Sequence, residues 1–277
     1  MKVRCCGVRG STPAPGAEFT RTGGHTSCLA VTPSGVARPS LVLDAGTGIR
    51  SVSALWGEQS FQGTILLTHL HWDHTQGLPF FGAGDRDDAV VRLLVPPVGS
   101  EDPRQTLARA MSPPHFPIGP EGLRGRWSFD TIGEGDHELE SVRVRATEVT
   151  HKGGTTFGYR LGDDLGSLAY LPDHVAAIQP RRPAAIDLVR GVDVLVHDAQ
   201  FVHREAALAD AYGHSTVDDA VDLALEAGVA ELVLFHHSPA RTDDELDGVL
   251  AGARERATGT DLTVSLAVEG RELTPGA

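Results

Sequence analysis

Ile65-Leu66-Leu67-Thr68-His69-Leu70-His71-Trp72-Asp73-His74 is the stretch on which the reading of this chain turns. An apolar run of strand type leads directly into three imidazoles and a carboxylate. Side chains two apart on a strand share a face, so His69 and His71 leave from the same side. Asp73 and His74 lie past the strand end and can turn to a second position. Imidazole nitrogen with carboxylate oxygen is the donor mix that holds zinc and similar ions. A histidine-rich surface turn is the alternative in a chain with 13 histidines. Four donors hard against a buried-type strand favour a metal site.

The same arrangement recurs outward from this stretch. Leu41-Val42-Leu43 runs into Asp44-Ala45-Gly46-Thr47-Gly48, and a strand following Val142–Ala146 ends in Thr150-His151. Leu168–Leu171 delivers Pro172-Asp173-His174, Val192–Val196 delivers His197-Asp198-Ala199-Gln200, and Leu232–Phe235 delivers His236-His237-Ser238-Pro239. Strand ends on one edge of a sheet are where α/β proteins gather ligands and catalytic groups. Ser215 or Thr216 caps the clearest helix, whose buried stripe is Val217, Ala220, Val221, Ala224 and Leu225 and whose stop is Gly228. A second helix with an acidic start is predicted beyond 242, then a strand over 262–267.

Residues 82–130 read as a looser region rich in Pro, Gly and charge, with one helix around 105–111. The Ser112–Pro117 piece is irregular because its prolines fix φ and remove donors. It is a lid or stacking surface presenting Phe116, with Phe81 a second candidate, or simply a surface loop. His25, after Gly23-Gly24, either touches the site or is solvated. With no linker and no short repeat, residues 1–277 are expected to form one domain with two similar halves.

Composition narrows the classes. The 277 residues are 40% hydrophobic, enough for a large core, and no apolar run reaches the ~18 residues of a membrane span. Three cysteines without Cys-x-x-Cys spacing give neither a disulfide framework nor a thiolate cage, and the cytoplasm is the expected compartment. A formal charge of −13 disfavours a long polyanion, so nucleic acid is an unlikely partner, whereas a small anion can bind where metal ions dominate the field.

His-x-His-x-Asp-His after an apolar strand resembles the signature of the metallo-β-lactamase superfamily, and the resemblance runs from about residue 1 to residue 250. It implies an α/β fold, an αββα sandwich of metallo-β-lactamase type, with one or two metals at the sheet edge. It also implies that Asp44 orients the metal-binding loop, that His151 is the isolated third-motif histidine and that Asp173 bridges two metals. His236, rather than His237, matches the ligand that ends the last strand. One ion would then take His69, His71 and His151, and the other Asp73, His74 and His236, with Asp173 shared. Two divalent ions are expected, zinc first, with manganese or iron also suited to these donors.

Tyr212-Gly213-His214-Ser215-Thr216 before the helix resembles the phosphodiesterase branch of that superfamily. There the histidine assists catalysis and an acidic residue orients it. Carried over, His214 is the general acid, Asp198 holds its ring, and Asp73 joins them as a catalytic as well as a metal-binding residue. The reading from the sequence is a dinuclear phosphodiesterase opening a small cyclic phosphodiester, a cyclic nucleotide first. The alternatives are a tRNA 3′-processing endoribonuclease, a thioester or lactone hydrolase, and a metal-binding protein without turnover. The branch also implies a homodimer.

Overall fold

The structure, a computed structural model, describes residues 1–177 and 182–277. Its first sheet holds β1 (Lys2–Gly7), β2 (Cys28–Thr32), β3 (Leu41–Leu43), β4 (Gln62–Leu66), β5 (Val90–Val95) and β6 (Arg126–Thr131) in sequence order. The second holds β7 (Gly135–Leu139), β8 (Val142–Val149), β9 (Thr156–Gly162), β10 (Ser167–Leu171), β11 (Val194–Asp198), β12 (Glu231–Phe235) and β13 (Thr263–Leu266), again in order. A last strand, β14 (Glu272–Leu273), returns to pair with β1. The strands β3 to β6 are parallel, as are β10 to β13.

Helices cover both outer faces. Among them are α1 (Ile49–Trp56), α2 (Trp72–Thr75), α3 (Pro103–Ala108), α4 (Arg182–Val189), α5 (Ala206–Tyr212), α6 (Val217–Ala227) and α7 (Asp243–Arg256). Strands buried on both faces should be apolar without alternation, and β3, β10, β11 and β12 largely are, whereas β6 at the sheet edge is polar and mostly exposed. On β11, Val194 and Val196 enter the core between the sheets while Leu195 packs outward under α4 and α6. On β3, Leu41 and Leu43 point inward and Val42 outward toward Ile49 and Val52 of α1. The result is the αββα sandwich expected from the resemblance.

Helix α6 follows its sequence pattern closely. Thr216 caps it by accepting from the Asp219 amide, and Gly228 ends it at φ +65°. Leu225 is only half-buried, and Leu223 and Ala227 complete the buried stripe instead. The α7 cap is Thr242, and its first turn carries Asp243, Asp244 and Glu245.

The reading of 82–130 as loose needs correction. It contains β5 and β6, two strands of the first sheet, and the helix runs over Pro103–Ala108 rather than 105–111. Val90–Val95 is a buried-type run, but proline, glycine and charge on either side masked it. Phe81 is fully buried against Phe61, so it cannot stack on a ligand. Phe80 faces Phe116 instead, ring centroids 5.9 Å apart.

Candidate metal centre

Five strand ends converge at one edge of the sandwich. Strand β4 and the short α2 carry His69, His71, Asp73 and His74, while β8, β10, β11 and β12 are followed or ended by His151, Asp173, Asp198 and His236. His214 joins them from the turn between α5 and α6. The chain leaves α5 through Gly213 at φ +81°, a left-handed position that glycine accommodates.

Asp173 stands at the middle. Its Oδ2 lies 2.6 Å from His74 Nε2 and 3.2 Å from His69 Nε2, and its Oδ1 lies 3.1 Å from His236 Nε2. His236 Nε2 is also 3.0 Å from Asp73 Oδ2, and His151 Nε2 is 3.3 Å from His71 Nδ1. Donor atoms of His69, His71 and His151 form one compact group, and those of Asp73, His74 and His236 another. Each triad grouped from the sequence is thus brought together, and the donors also group across the triads, as His69 with His74 and Asp173 and as His151 with Asp173 and His214.

The other ring nitrogen of several of these histidines is tied down. His74 Nδ1 donates to Asp44 Oδ2 at 2.8 Å, and His151 Nδ1 donates to the Gly213 carbonyl at 2.6 Å. A neutral imidazole protonated at Nδ1 offers its lone pair at Nε2, so both rings aim a lone pair inward. Asp44 also accepts from the Thr68 amide (2.7 Å) and the Tyr170 hydroxyl (2.9 Å), which fixes the turn leading into His69.

What the centre lacks is equally informative. His69 Nε2, His74 Nε2 and both Asp173 oxygens are buried yet make no hydrogen bond, although Asp173 Oδ2 lies 3.2 and 2.6 Å from the two nitrogens. Their short separations do not have hydrogen-bond geometry, whereas lone pairs converging on a common cation would meet in this way. Burying such groups unsatisfied is costly, and a divalent ion with nitrogen and oxygen ligands would satisfy them. Charge points the same way. Burial pushes His74 down, but Asp73, Asp173 and Asp44 outweigh it and hold the ring well above the ordinary imidazole range. Three carboxylates that favour the cationic form of a buried imidazole create the negative potential that attracts a cation.

His214 faces away from this problem. Its Nδ1 donates to Asp198 Oδ2 at 2.8 Å and lies 3.3 Å from Asp173 Oδ1, leaving Nε2 unbound to either carboxylate. Burial lowers its pKa, but Asp198, then Asp173 and Asp73, raise it to about 9. Asp198 is further held by the amides of His174, Gln200 and Ser215. A cationic imidazole oriented by a buried carboxylate can hand a proton to a leaving oxygen.

The ambiguous histidines separate cleanly. His236 turns into the cluster, whereas His237 Nε2 donates to the Ala267 carbonyl 3.0 Å away. His174 pairs with His197 at 2.9 Å, and His25 lies against Thr47. None of these three is in a donor group. Sequence reasoning passed over Ser11, whose amide donates to Asp73 Oδ2 at 2.6 Å, and Gln200, which bonds His236. Ser11 carried no signal, but Gln200 stood in a strand-end stretch already singled out.

A cavity of about 820 Å³ opens beside the centre and shares His69 and His71 with it. Its far wall is apolar, formed by Trp72, Phe80, Met111 and Phe116.

Fold and centre define a sandwich with a histidine–aspartate metal site at the strand ends. The family described as the β-lactamase superfamily domain matches residues 41–237, and the chain belongs to it. Ribonuclease Z of Parasynechococcus marenigrum is 48% identical over 222 residues, covering 63% of this chain and 69% of that protein. Ribonuclease Z of Brevibacillus brevis is 39% identical over 87 residues, which cover 30% of this chain and 27% of that protein. Among solved structures, the metallo-β-lactamase fold protein YhfI from Bacillus subtilis superposes with a TM-score of 0.73 at 16% identity, over 99% of each chain. The short form of human tRNase Z superposes at 0.67 and 19% identity, also over 99% of each chain. These two establish the fold alone. The sequence relatives support the enzyme class expected, a metal-dependent phosphoric diester hydrolase. No helix of the described residues is long and apolar enough to cross a membrane.

Proposed function

We propose that this chain is a metal-dependent phosphodiesterase acting on RNA, the endoribonuclease activity held as the alternative in the sequence reading. The observation that carries it is the His214–Asp198 pair, 2.8 Å apart and set against Asp173, in a chain whose relatives are named Ribonuclease Z. This revises the expectation that nucleic acid is an unlikely partner. Net charge describes the whole surface, whereas the field at the scissile phosphate belongs to the cations nearest it.

His69, His71 and His151 would hold one ion and Asp73, His74 and His236 the other, with Asp173 between. Divalent ions held there, zinc first and manganese or iron next, would supply a more acidic water and offset charge on the phosphoryl group. His214 holds the proton that the departing oxygen needs, and Asp198 keeps its Nδ1 occupied so that Nε2 faces the substrate.

A second reading, a small cyclic phosphodiester such as a cyclic nucleotide, is favoured by the cavity. At about 820 Å³ it lies within the range of roughly 300–1,000 Å³ for small-molecule sites. Phe80 and Phe116 offer a base an aromatic wall. The 82–130 insertion folds into β5, α3 and β6 in place of a basic arm for a large RNA. A cytoplasmic homodimer belongs to the same proposal, and sedimentation tests the dimer.

The deciding experiment is a turnover panel on zinc- or manganese-supplemented protein with a His69→Ala control. It contains a precursor tRNA, 3′,5′- and 2′,3′-cyclic nucleotides, an aryl phosphodiester, a thioester and a lactone. Metal-dependent cleavage of the precursor supports the first reading, and opening of a cyclic nucleotide alone supports the second. Hydrolysis of only the thioester or lactone overturns both.

A further inference from the structure

Two ligands of the second triad come from opposite sheets, and a single uncharged side chain spans them. Gln200, buried just past β11, places its Oε1 3.0 Å from His236 Nδ1 and donates from Nε2 to Ser11 Oγ at 3.0 Å. Ser11 in turn donates its amide to Asp73 Oδ2 at 2.6 Å, and Asp73 Oδ2 lies 3.0 Å from His236 Nε2. The four residues therefore close a ring around the point where Asp73 and His236 meet.

The ring is stiff. Ser11 sits at φ +63° and His236 at φ +57°, conformations that residues other than glycine rarely adopt. Gly10 lies face-on to the His236 ring, where a Cβ would stand 2.3 Å from Nδ1. The Gln200 backbone is pinned as well, its amide donating to Asp198 Oδ1 (3.1 Å) and its carbonyl accepting from Arg241 Nη1 (2.8 Å). An amide oxygen only accepts, so His236 Nδ1 carries a proton, which leaves Nε2 as the nitrogen that would ligate an ion bound between it and Asp73. The same side chain thereby chooses the tautomer and, through Ser11, sets where Asp73 stands.

We infer that Gln200 is a positioning residue for the second metal site, presenting His236 Nε2 and Asp73 Oδ2 together to one divalent ion. The inference rests on the reading of the cluster as a metal centre. Partners that orient a ligand histidine in this way are worth about 10–100-fold in metal affinity. Gln200→Met keeps the length but removes the acceptor and the donor. Gln200→Glu keeps an acceptor for His236 Nδ1–H.

The test is competition for Zn²⁺ between a chromophoric chelator and the full chain, read as stoichiometry and a Kd for each ion, with circular dichroism to check folding. The wild type should take two ions. Gln200→Met should hold the first ion unchanged and the second about 10–100-fold more weakly, and Gln200→Glu should recover the second. The inference is overturned if folded Gln200→Met binds both ions as tightly as wild type. It is also overturned if Gln200→Glu is as weak as Gln200→Met, because packing rather than the acceptor would then matter. Failure of the wild type itself to take two ions would instead overturn the reading of the centre.

Discussion

The two sheets contribute to the site in contrasting ways. The first supplies four donors from one short stretch, His69 and His71 before a single turn of helix and Asp73 and His74 within it, clamped by one buried carboxylate, Asp44. The second supplies His151, Asp173, Asp198 and His236 singly, each from a different strand end. One side depends on local geometry, the other on the register of parallel strands. The first should therefore fail as a block when its clamp is lost, and the second one ligand at a time. Asp173 is the exception, because its two oxygens reach both sides.

Asp173→Ala should have the largest effect, since it removes the carboxylate whose two oxygens lie against His69 and His74 on one side and His236 on the other. Expected are loss of measurable phosphodiester turnover and of paired metal uptake, checked by metal analysis. Retention of two ions would mean the halves do not share a ligand. His214→Ala should lower kcat by about 10²–10⁴-fold while leaving metal content unchanged, which single-turnover kinetics can resolve. A parallel loss of metal would make His214 part of the second side's ligand set.

Asp44→Ala tests the clamp. It leaves Thr68, His74 and Tyr170 without their acceptor, and destabilisation of about 3 kcal/mol is expected in urea unfolding. Because both sheets fill one core between them, a single transition is expected rather than two. A separate early transition would divide the halves. Phe116→Ala should weaken binding of a base-containing substrate by about 1–3 kcal/mol, read in KM, with little change for an aryl phosphodiester.

The smallest expected effect lies at the seam between the halves. Arg9, fully buried beside β1, reaches Asp243 at the start of α7, and the Arg21 and Thr22 amides donate to the same carboxylate. Burial pushes the Asp243 carboxyl up, but the bonds from Thr22 and Arg21 and the Arg9 charge outweigh it and hold it below the usual range. A depressed folded pKa contributes stability that is present above the unfolded value, about 3.9, and lost as pH falls through the folded one. Stability should therefore decline below about pH 4, and more shallowly in Asp243→Asn. An unchanged acid slope in the variant would remove this contact from the seam.

The stretch from Ile65 to His74 was readable because ligand spacing and strand periodicity are both local. So was α6, whose cap, stripe and stop lie within a dozen or so residues of one another. Strand β5 was missed because it is a short apolar run inside a window dominated by proline, glycine and charge, and β6 because its own residues, Arg126–Thr131, are mostly polar and exposed. Local pattern left His236 against His237 open. Adjacent strand residues face opposite ways, and only the partner surfaces decide which faces the centre.

The sequence by itself determined the donor types, the strand ends that carry them, and thereby the fold and the metal-site chemistry. The family resemblance anticipated Asp173 between the triads and Asp198 beside His214, but tertiary structure alone decided that Gln200 bonds both His236 and Ser11, the latter 189 positions before it. The reason is physical. Backbone pattern fixes where a side chain leaves its strand, but the packing of two sheets fixes what it meets.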